Sequence, residues 1–255
     1  MPSTDSLMTG FLCCTLAIAT CVGSLPAFGQ DKPAHNTFLG ISGGAGLVFS
    51  PAWPQRVDLP PTYLAATGNT GESGALSVLI QVRRGHWFGQ SELRYQNVYS
   101  AGFTYFNGVR AGFLSFSTNT TVFHVQQLAL AALGGYAFGP RQQLYWLLGP
   151  ALAVRQGNDG IAAPSASSNL RDKVLYAMDT APSASQLQLH GGLGWWGKRL
   201  SVEARYTYGL TPLVRRISFD NQTHNFQVGA DTFMFTVGYH GQLGRHEEAQ
   251  VREQE

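Results

Sequence analysis

Charged side chains are scarce in this 255-residue chain, at 13% of the sequence, about half of the roughly 25% that is typical of soluble proteins. Long apolar runs are scarce too, since no segment reaches the about 18 consecutive apolar residues that suggest a membrane-spanning helix. The formal net charge is only +2, and no basic block is present, which argues against a nucleic-acid partner. These absences are hard to reconcile with helical membrane spans or with a well-solvated globule.

Cysteine is confined to the first 21 residues, within an apolar run from residue 11 to about residue 25. The run is followed by Ala27-Phe28-Gly29, which has small residues at the two positions that signal peptidase reads. We therefore predict a signal peptide over residues 1–29, cleaved between Gly29 and Gln30. The remaining chain has no cysteine, which excludes disulfides, thiol nucleophiles and cysteine–metal sites.

Three alternatives stay open at this N-terminus. Asp5 is the only charged residue before the apolar run, and this anomaly disappears if translation begins at Met8 instead of Met1. Retention of the run as a membrane anchor is the second alternative, although about 15 residues are few for a span. Lipidation of Cys21 is the third, but Thr20 stands before it where Gly or Ala is expected.

In the rest of the chain, segments in which apolar and polar residues alternate are joined alternately by long and short connections. Eight such segments lie near residues 37–50, 74–83, 88–97, 121–136, 143–154, 186–195, 200–210 and 232–241. The long connections cover residues 51–73, 98–120, 155–185 and 211–230, and the short ones are rich in Gly, Pro and charge. Alternating long and short connections put all the long loops at one end of a closed sheet, as in outer-membrane barrels.

We therefore predict an all-β fold, an eight-stranded antiparallel up-and-down transmembrane β-barrel with four long external loops and short periplasmic turns. The barrel is expected over residues 37–243. A short N-terminal periplasmic segment (30–36) precedes it, and a polar C-terminal tail (244–255) follows it.

Polar and apolar side chains alternate within the predicted strands with the period of two that a β-strand imposes. The clearest case runs from Leu200 to Tyr208, where Leu, Val, Ala and Tyr alternate with Ser, Glu, Arg and Thr. An Arg facing lipid near the bilayer midplane would cost about 2–4 kcal/mol, so the polar phase is expected to face the lumen, where opposite charges can pair. The predicted inward-facing polar residues are Gln90, Glu92, Arg94, Glu203 and Arg205.

Aromatic residues cluster near both ends of the predicted strands. Rings with an apolar body and a polar edge favour the membrane–water interface, and a barrel has two such belts. The residues predicted to form the belts are Trp87, Tyr95, Trp195, Trp196, Tyr206, Tyr208 and Tyr239.

The stretch from Val202 to Thr211, with an acidic residue, an Arg-Tyr pair and a Gly-Leu end, resembles the penultimate strand of the PorT-like outer-membrane β-barrel family, common in Bacteroidetes. Gly149-Pro150 and Gly192-Leu193-Gly194 are similar to that family as well. The resemblance implies the barrel and names no activity. It also implies recognition by the barrel-assembly machinery during biogenesis, through a closing strand at Phe233–Tyr239 that the tail displaces from the C-terminus.

Catalytic and metal-binding patterns are weak. A lipid-modifying barrel enzyme needs a Ser nucleophile with a His base and an acid near the loop side. His124 and His224 are the best-placed histidines, but neither has Ser and acid at strand spacing. No His-x-His or His-x-x-His pair with carboxylates occurs, and the Gly43–Gly46 run lacks the Lys of a phosphate loop. We predict no enzyme, no metal and no cofactor.

The sequence thus predicts a non-enzymatic protein of the bacterial outer membrane, structural or binding a ligand or partner through its external loops. Its expected partners are outer-membrane lipid and lipopolysaccharide, the barrel-assembly machinery, and an unknown external ligand or protein, but no nucleic acid. Two alternatives remain: a soluble lipocalin-like barrel, which shows the same alternation with the faces inverted, and a lipid A-modifying barrel enzyme.

Overall fold

The computed structural model describes residues 36–49, 56–59, 62–66, 70–107, 118–139, 141–157, 163–165 and 170–243. The predicted signal peptide, nearly all of the predicted 30–36 segment and the polar tail lie outside these residues.

The described chain is mostly β-strand. In chain order the strands are β1 (Asn36–Phe49), β2 (Arg56–Leu59), β3 (Thr62–Ala66), β4 (Thr70–Arg84), β5 (Trp87–Asn107), β6 (Thr118–Phe138), β7 (Leu144–Arg155), β8 (Ser185–Trp196), β9 (Leu200–Gly209), β10 (Val214–Phe219), β11 (Gln222–Val228) and β12 (Asp231–Leu243), and helix α1 (Leu170–Thr180) lies between β7 and β8.

Eight of these strands form a closed antiparallel barrel. The strands β1, β4, β5, β6, β7, β8, β9 and β12 each pair with the next one around the ring, and β12 closes it by pairing with β1 from Asp231↔Phe49 to Leu243↔Thr37. All eight overlap the segments marked by alternation in the sequence. The prediction of an eight-stranded up-and-down barrel is therefore confirmed.

Short connections lie at one end of the barrel, which we call the turn end. The chain needs only Gly85 and His86 to pass from β4 to β5, and Gly85 has a φ of 62°, a left-handed conformation that glycine adopts without strain. The other end, which we call the loop end, carries the longer connections.

The second predicted long loop is wrong in its extent. Residues 98–120 were expected to be loop, but β5 continues to Asn107 and β6 begins at Thr118. The two strands remain paired beyond the barrel, past an irregularity at Ala101 and Phe103, as far as Phe106↔Thr118. Strand β3 also pairs with this extension of β5, and β2 pairs with β3. The physical reason is that β-branched and aromatic residues are interspersed among the Gly, Ser and Asn that suggested a loop.

The third and fourth loops contain structure of their own. Helix α1 lies in the third, and β10 and β11 form a hairpin in the fourth, which turns through Asp220 and Asn221 at positive φ. Asp and Asn are the non-glycine residues that tolerate this conformation best.

No helix among the described residues is long and apolar enough to cross a membrane.

Candidate functional site

The outer surface of the barrel is apolar. Large aliphatic and aromatic side chains that are more than a third exposed occur on every barrel strand; they include Ile41, Leu47, Leu76, Val78, Ile80, Leu93, Leu128, Leu148, Val154, Leu187, Leu193, Leu200, Val202, Phe235 and Val237. Asp, Glu, Lys and Arg are absent from the described outward positions between Glu72 and Arg84 on β4, and from the corresponding positions on the other seven strands. A continuous apolar surface of this size marks a contact with membrane or protein.

Six of the seven aromatic residues predicted for the interface point outward. Trp87, Trp195 and Tyr239 lie toward the turn end, and Tyr95, Tyr206 and Tyr208 lie toward the loop end. All six are exposed, from 38% for Tyr95 to 61% for Trp87. They stand at the two margins of the apolar surface.

Trp196 is the exception, and its predicted place at the interface is wrong. Its side chain is only 6% exposed and points into the lumen at the turn end. The reason is strand geometry: Trp195 and Trp196 are consecutive, so only one of them can face outward. Inside, the Trp196 ring is stacked on His240, with centroids 4.9 Å apart, and the guanidinium carbon of Arg83 lies 3.2 Å from its centroid.

Trp196 belongs to an apolar cluster that fills the turn end of the lumen. The cluster also contains Phe88, Leu133, Tyr145 and Leu147. Tyr145 packs edge-to-face with both Phe88 and Trp196, at centroid distances of 5.6 and 5.4 Å. This end of the barrel is therefore closed by side chains.

The five polar residues predicted to face inward are all buried in the lumen, and four of them form one charge network. Glu92 lies at its centre: Arg94 Nη2 is 2.7 Å from Glu92 Oε1, and Arg205 Nη1 is 2.7 Å from Glu92 Oε2. Gln90 donates to Glu92 Oε2 at 3.1 Å, and Arg205 Nε also pairs with Glu203. Two carboxylates and two guanidinium groups balance, as buried charges require.

Sequence reasoning missed two further members of this network. The hydroxyl of Tyr145 donates to Glu203 Oε2 at 3.0 Å, and Arg94 Nη1 lies 3.8 Å from the sulfur of Met234. Both residues face inward because their neighbours along the strand face outward, but only the strand register across the barrel brings them to the charges.

A tier of neutral polar side chains lies between the charge network and the loop end. Gln188 Nε2 donates to Gln186 Oε1 at 2.8 Å and to Gln127 Oε1 at 3.3 Å, and the ring of His190 hydrogen-bonds Gln188 Oε1 at 3.2 Å. On the opposite wall, Gln96 Nε2 donates to Ser73 Oγ at 2.9 Å. The lumen is thus filled by side chains at this level as well.

The lumen also contains a buried serine–histidine pair. Ser201 Oγ and His240 Nε2 lie 2.6 Å apart, the distance of a nucleophile and its general base. Among the described residues, His240 Nδ1 has no hydrogen-bond partner, so the acid that orients a catalytic histidine is missing. The pair lies inside the lumen, where the Trp196 ring stacks on His240.

The two histidines that the sequence placed nearest the loops lie away from the Ser201–His240 pair. His124 points outward at the loop end of β6, where its ring is stacked on Tyr99 at a centroid distance of 4.5 Å. His224 lies on β11 opposite Ile217. Within the described residues, no group of three His, Cys, Asp or Glu side chains could hold a metal ion.

The loop end is closed by a cap, which we define as α1 together with the β10–β11 hairpin. Its apolar core joins residues of the helix, the hairpin and the barrel wall: Val48, Val98, Val125, Val174, Ala177, Met178, Leu213, Val214, Ile217, Phe219, Phe226, Val228 and Ala230. Arg155 at the end of β7 anchors α1 to the barrel, because its Nη2 donates a hydrogen bond to the carbonyl oxygen of Asp179 at 2.6 Å. Lys173 Nζ and Asp220 Oδ1, 3.2 Å apart, connect helix and hairpin.

Comparison with known proteins adds no family: no protein-family model and no curated protein matches the chain. The resemblance to the PorT-like family stays a prediction. Among solved structures, the chain is similar to the outer membrane protein OprG from Pseudomonas aeruginosa, with 12% identity over 83% of this chain and 99% of that chain and a TM-score of 0.44.

It is also similar to Neisserial surface protein A, with 11% identity over 79% of this chain and 96% of that one and a TM-score of 0.39. A third similar structure is the attachment invasion locus protein Ail of Yersinia pestis, solved with sucrose octasulfate, with 13% identity over 80% and 99% of the two chains and a TM-score of 0.36.

Proposed function

We propose that this protein is an integral outer-membrane β-barrel with a closed lumen, which acts through the surface at its loop end and not as a pore or an enzyme. The observation that carries the proposal is the reversed polarity of the barrel. Charges and amides fill the interior around Glu92 and Arg205, while uncharged apolar side chains cover the outside.

The energetics favour a lipid environment for that exterior. Burial of apolar surface contributes about 25 cal/mol per Å², and this barrel leaves side chains such as Leu76, at 68% exposed, and Leu193, at 63%, outside its own core. Lipid around the wall removes these surfaces from water. A soluble lipocalin-like barrel has the opposite arrangement, with apolar side chains inside and polar ones outside, so this alternative does not suit the observed faces.

The closed lumen supports a role without transport. An eight-stranded barrel leaves an interior just wide enough for side chains, and here the aromatic cluster, the charge network, the glutamine tier and the cap occupy successive levels. Catalysis is not supported either, because the serine–histidine pair is buried in the lumen and, among the described residues, no acid pairs with His240 Nδ1. The loop-end surface is then where an external ligand or protein would bind, or the barrel serves the envelope structurally.

The proposal is tested by fractionating bacterial envelopes that contain the full chain and comparing its gel mobility before and after boiling. We expect the protein in the outer-membrane fraction and a mobility shift on boiling, because a closed barrel resists detergent until heated. Protein in the soluble fraction without a shift would contradict the proposal and restore the soluble alternative.

The lipid-modifying alternative is tested separately by comparing the lipid A species of cells with and without the protein. We expect identical species. A change that is abolished by Ser201→Ala or His240→Ala would show that the lumen pair is catalytic and that the proposed function is wrong in this respect.

A further inference from the structure

The charges of the described residues are distributed unevenly along the barrel axis. The lumen network contains two acidic and two basic residues. Among the residues whose side chains are described, the loop end contains four basic residues (Arg155, Lys173, Arg215 and Arg216) and five acidic ones (Glu72, Asp172, Asp179, Asp220 and Asp231). The turn end contains five basic residues (Arg83, Arg84, Arg141, Lys198 and Arg199) and no acidic one. The whole net positive charge of the described chain therefore lies at the turn end.

Four of these five cations are available on the outside. Arg141, Lys198 and Arg199 are exposed, and Arg84 is partly exposed on the outward phase of β4. Arg83 is different because its guanidinium is directed into the lumen over Trp196. We call Arg84, Arg141, Lys198 and Arg199 the basic rim. No Asp or Glu lies at this end of the described chain, so none of the described carboxylates neutralises them.

The basic rim lies beside the aromatic belt at the turn end. Arg84 is the register partner of Trp87, and Arg199 Nη1 lies 3.5 Å from the hydroxyl of Tyr239. Trp87 and Tyr239 are among the outward aromatic side chains at the margin of the apolar surface. Aromatic belts of this kind stand at the depth of the lipid headgroups, so the cations reach the level where the lipid phosphates lie.

We propose that the basic rim binds the phosphate headgroups of anionic phospholipids in the leaflet that surrounds the turn end. This inference rests on the proposed function, because it requires a barrel that spans the bilayer. The cations belong to three separate turns, between β4 and β5, between β6 and β7, and between β8 and β9. This spread around the barrel fits a shell of lipids better than one compact macromolecular partner. Basic residues at a membrane surface attract anionic headgroups in the same way.

The test is electron spin resonance of the full chain reconstituted in phosphatidylcholine vesicles with spin-labelled phosphatidylglycerol or spin-labelled phosphatidylcholine. We expect the protein to retain the phosphatidylglycerol label at least about threefold more strongly at low salt, because each cation near the surface adds to the attraction. The preference should fall toward one in 1 M NaCl, where the screening length is about 3 Å.

The variants distinguish an effect of where the cations lie from an effect of the protein's net charge. Lys198→Gln/Arg199→Gln removes two rim cations and should lower the preference, and addition of Arg84→Gln and Arg141→Gln should abolish it. The matched control Arg215→Gln/Arg216→Gln removes two exposed cations from the cap and should leave the preference unchanged. An equal loss in the control, or an unchanged preference in the fourfold variant, would overturn the inference. If the fourfold variant does not fold, the inference is tested by comparing the lipid preference of the two double variants.

Failure of this inference is distinguishable from failure of the proposed function. A chain that does not enter vesicles and shows no heat shift contradicts the proposed function itself. A chain that enters vesicles, shows the heat shift and retains both labelled lipids equally contradicts only the basic rim.

Discussion

At the scale of single residues, stability depends on charges that can be buried only together. Glu92 accepts hydrogen bonds from Gln90, Arg94 and Arg205, and among the described carboxylates it alone contacts both arginines. Removing one partner of a buried ion pair leaves an uncompensated charge, which usually costs more than the pair contributes.

Glu92→Gln should therefore destabilise the folded barrel by about 3–5 kcal/mol. Urea unfolding in detergent or lipid, followed by the heat-dependent gel shift, measures the change. The double variant Glu92→Gln/Arg94→Gln should recover part of the loss, because it leaves Arg205 paired with Glu203. Glu72→Gln, which changes an exposed carboxylate at the rim of β4, should stay within about 0.5 kcal/mol. If Glu92→Gln is as mild as Glu72→Gln, the network does not determine stability.

Glycine at particular wall positions permits close approach of neighbouring strands. A Cβ added at Gly149 would meet the carbonyl oxygen of Ala132 and would lie 2.8 Å from the Cα of Leu133, and both are backbone atoms that cannot turn aside. At Gly74 an added Cβ would meet no heavy atom within 4 Å.

Gly149→Ala should consequently lower the free energy of unfolding by about 1–3 kcal/mol, through overpacking of the β6–β7 wall. Gly74→Ala is the matched control on another barrel strand and should show no loss. The same urea titration compares the two. Equal stability of both variants would mean that β6 and β7 separate readily at this point.

At the scale of elements, the cap is held by its own apolar core and lies on a barrel whose strands pair independently of it. Phe226 is fully buried in that core, on the hairpin strand β11. Two hairpin cations, Arg215 and Arg216, are exposed on β10, and Lys173 on α1 is partly exposed.

Phe226→Ala should open the cap without opening the barrel, because truncating a buried Phe costs about 3–5 kcal/mol locally. We expect faster tryptic cleavage at Lys173, Arg215 and Arg216 while the heat shift persists. Asn225→Ala, at the exposed neighbouring position, is the control and should cleave at the rate of the unmodified protein. Loss of the heat shift in Phe226→Ala would instead make the cap and barrel one cooperative unit.

The elements also show how far sequence reasoning reaches. Period-two alternation located all eight barrel strands, because a strand with one polar and one apolar face must alternate polar and apolar residues along its sequence. It could not locate the cap, whose α1 and hairpin residues become a core only when two loops distant in sequence meet. It also missed the extension of β5 and β6 beyond the barrel, since mixed Ser, Thr, Asn and aromatic composition suits both loop and strand.

The same limit applies within the lumen. Alternation assigns Glu92, Arg94, Glu203 and Arg205 to one phase, but the contact of Glu92 with Arg205 depends on how far the strands are staggered around the barrel. Trp196 was misplaced for a simpler reason: composition suggested an interface pair at Trp195-Trp196, whereas strand phase allows only one of the two outside.

At the scale of the whole molecule, the barrel has its polar side chains inside and its apolar side chains outside, and both ends of the lumen are closed. Strand β4 shows this polarity in consecutive residues: Leu76, Val78 and Ile80 are at least half exposed, while Ser77, Leu79 and Gln81 are buried. The account therefore predicts which individual positions touch lipid. The three cysteines near the N-terminus can be changed to Ser, which leaves single-cysteine labelling free of background.

The most direct test places a single cysteine at each position from 76 to 81 in turn, attaches a small fluorophore, and measures quenching by brominated lipid in reconstituted vesicles. Our account predicts strong quenching at 76, 78 and 80 and weak quenching at 77, 79 and 81. Quenching that is uniform along β4, absent from it, or strong at the odd positions would contradict a barrel whose apolar face meets the membrane.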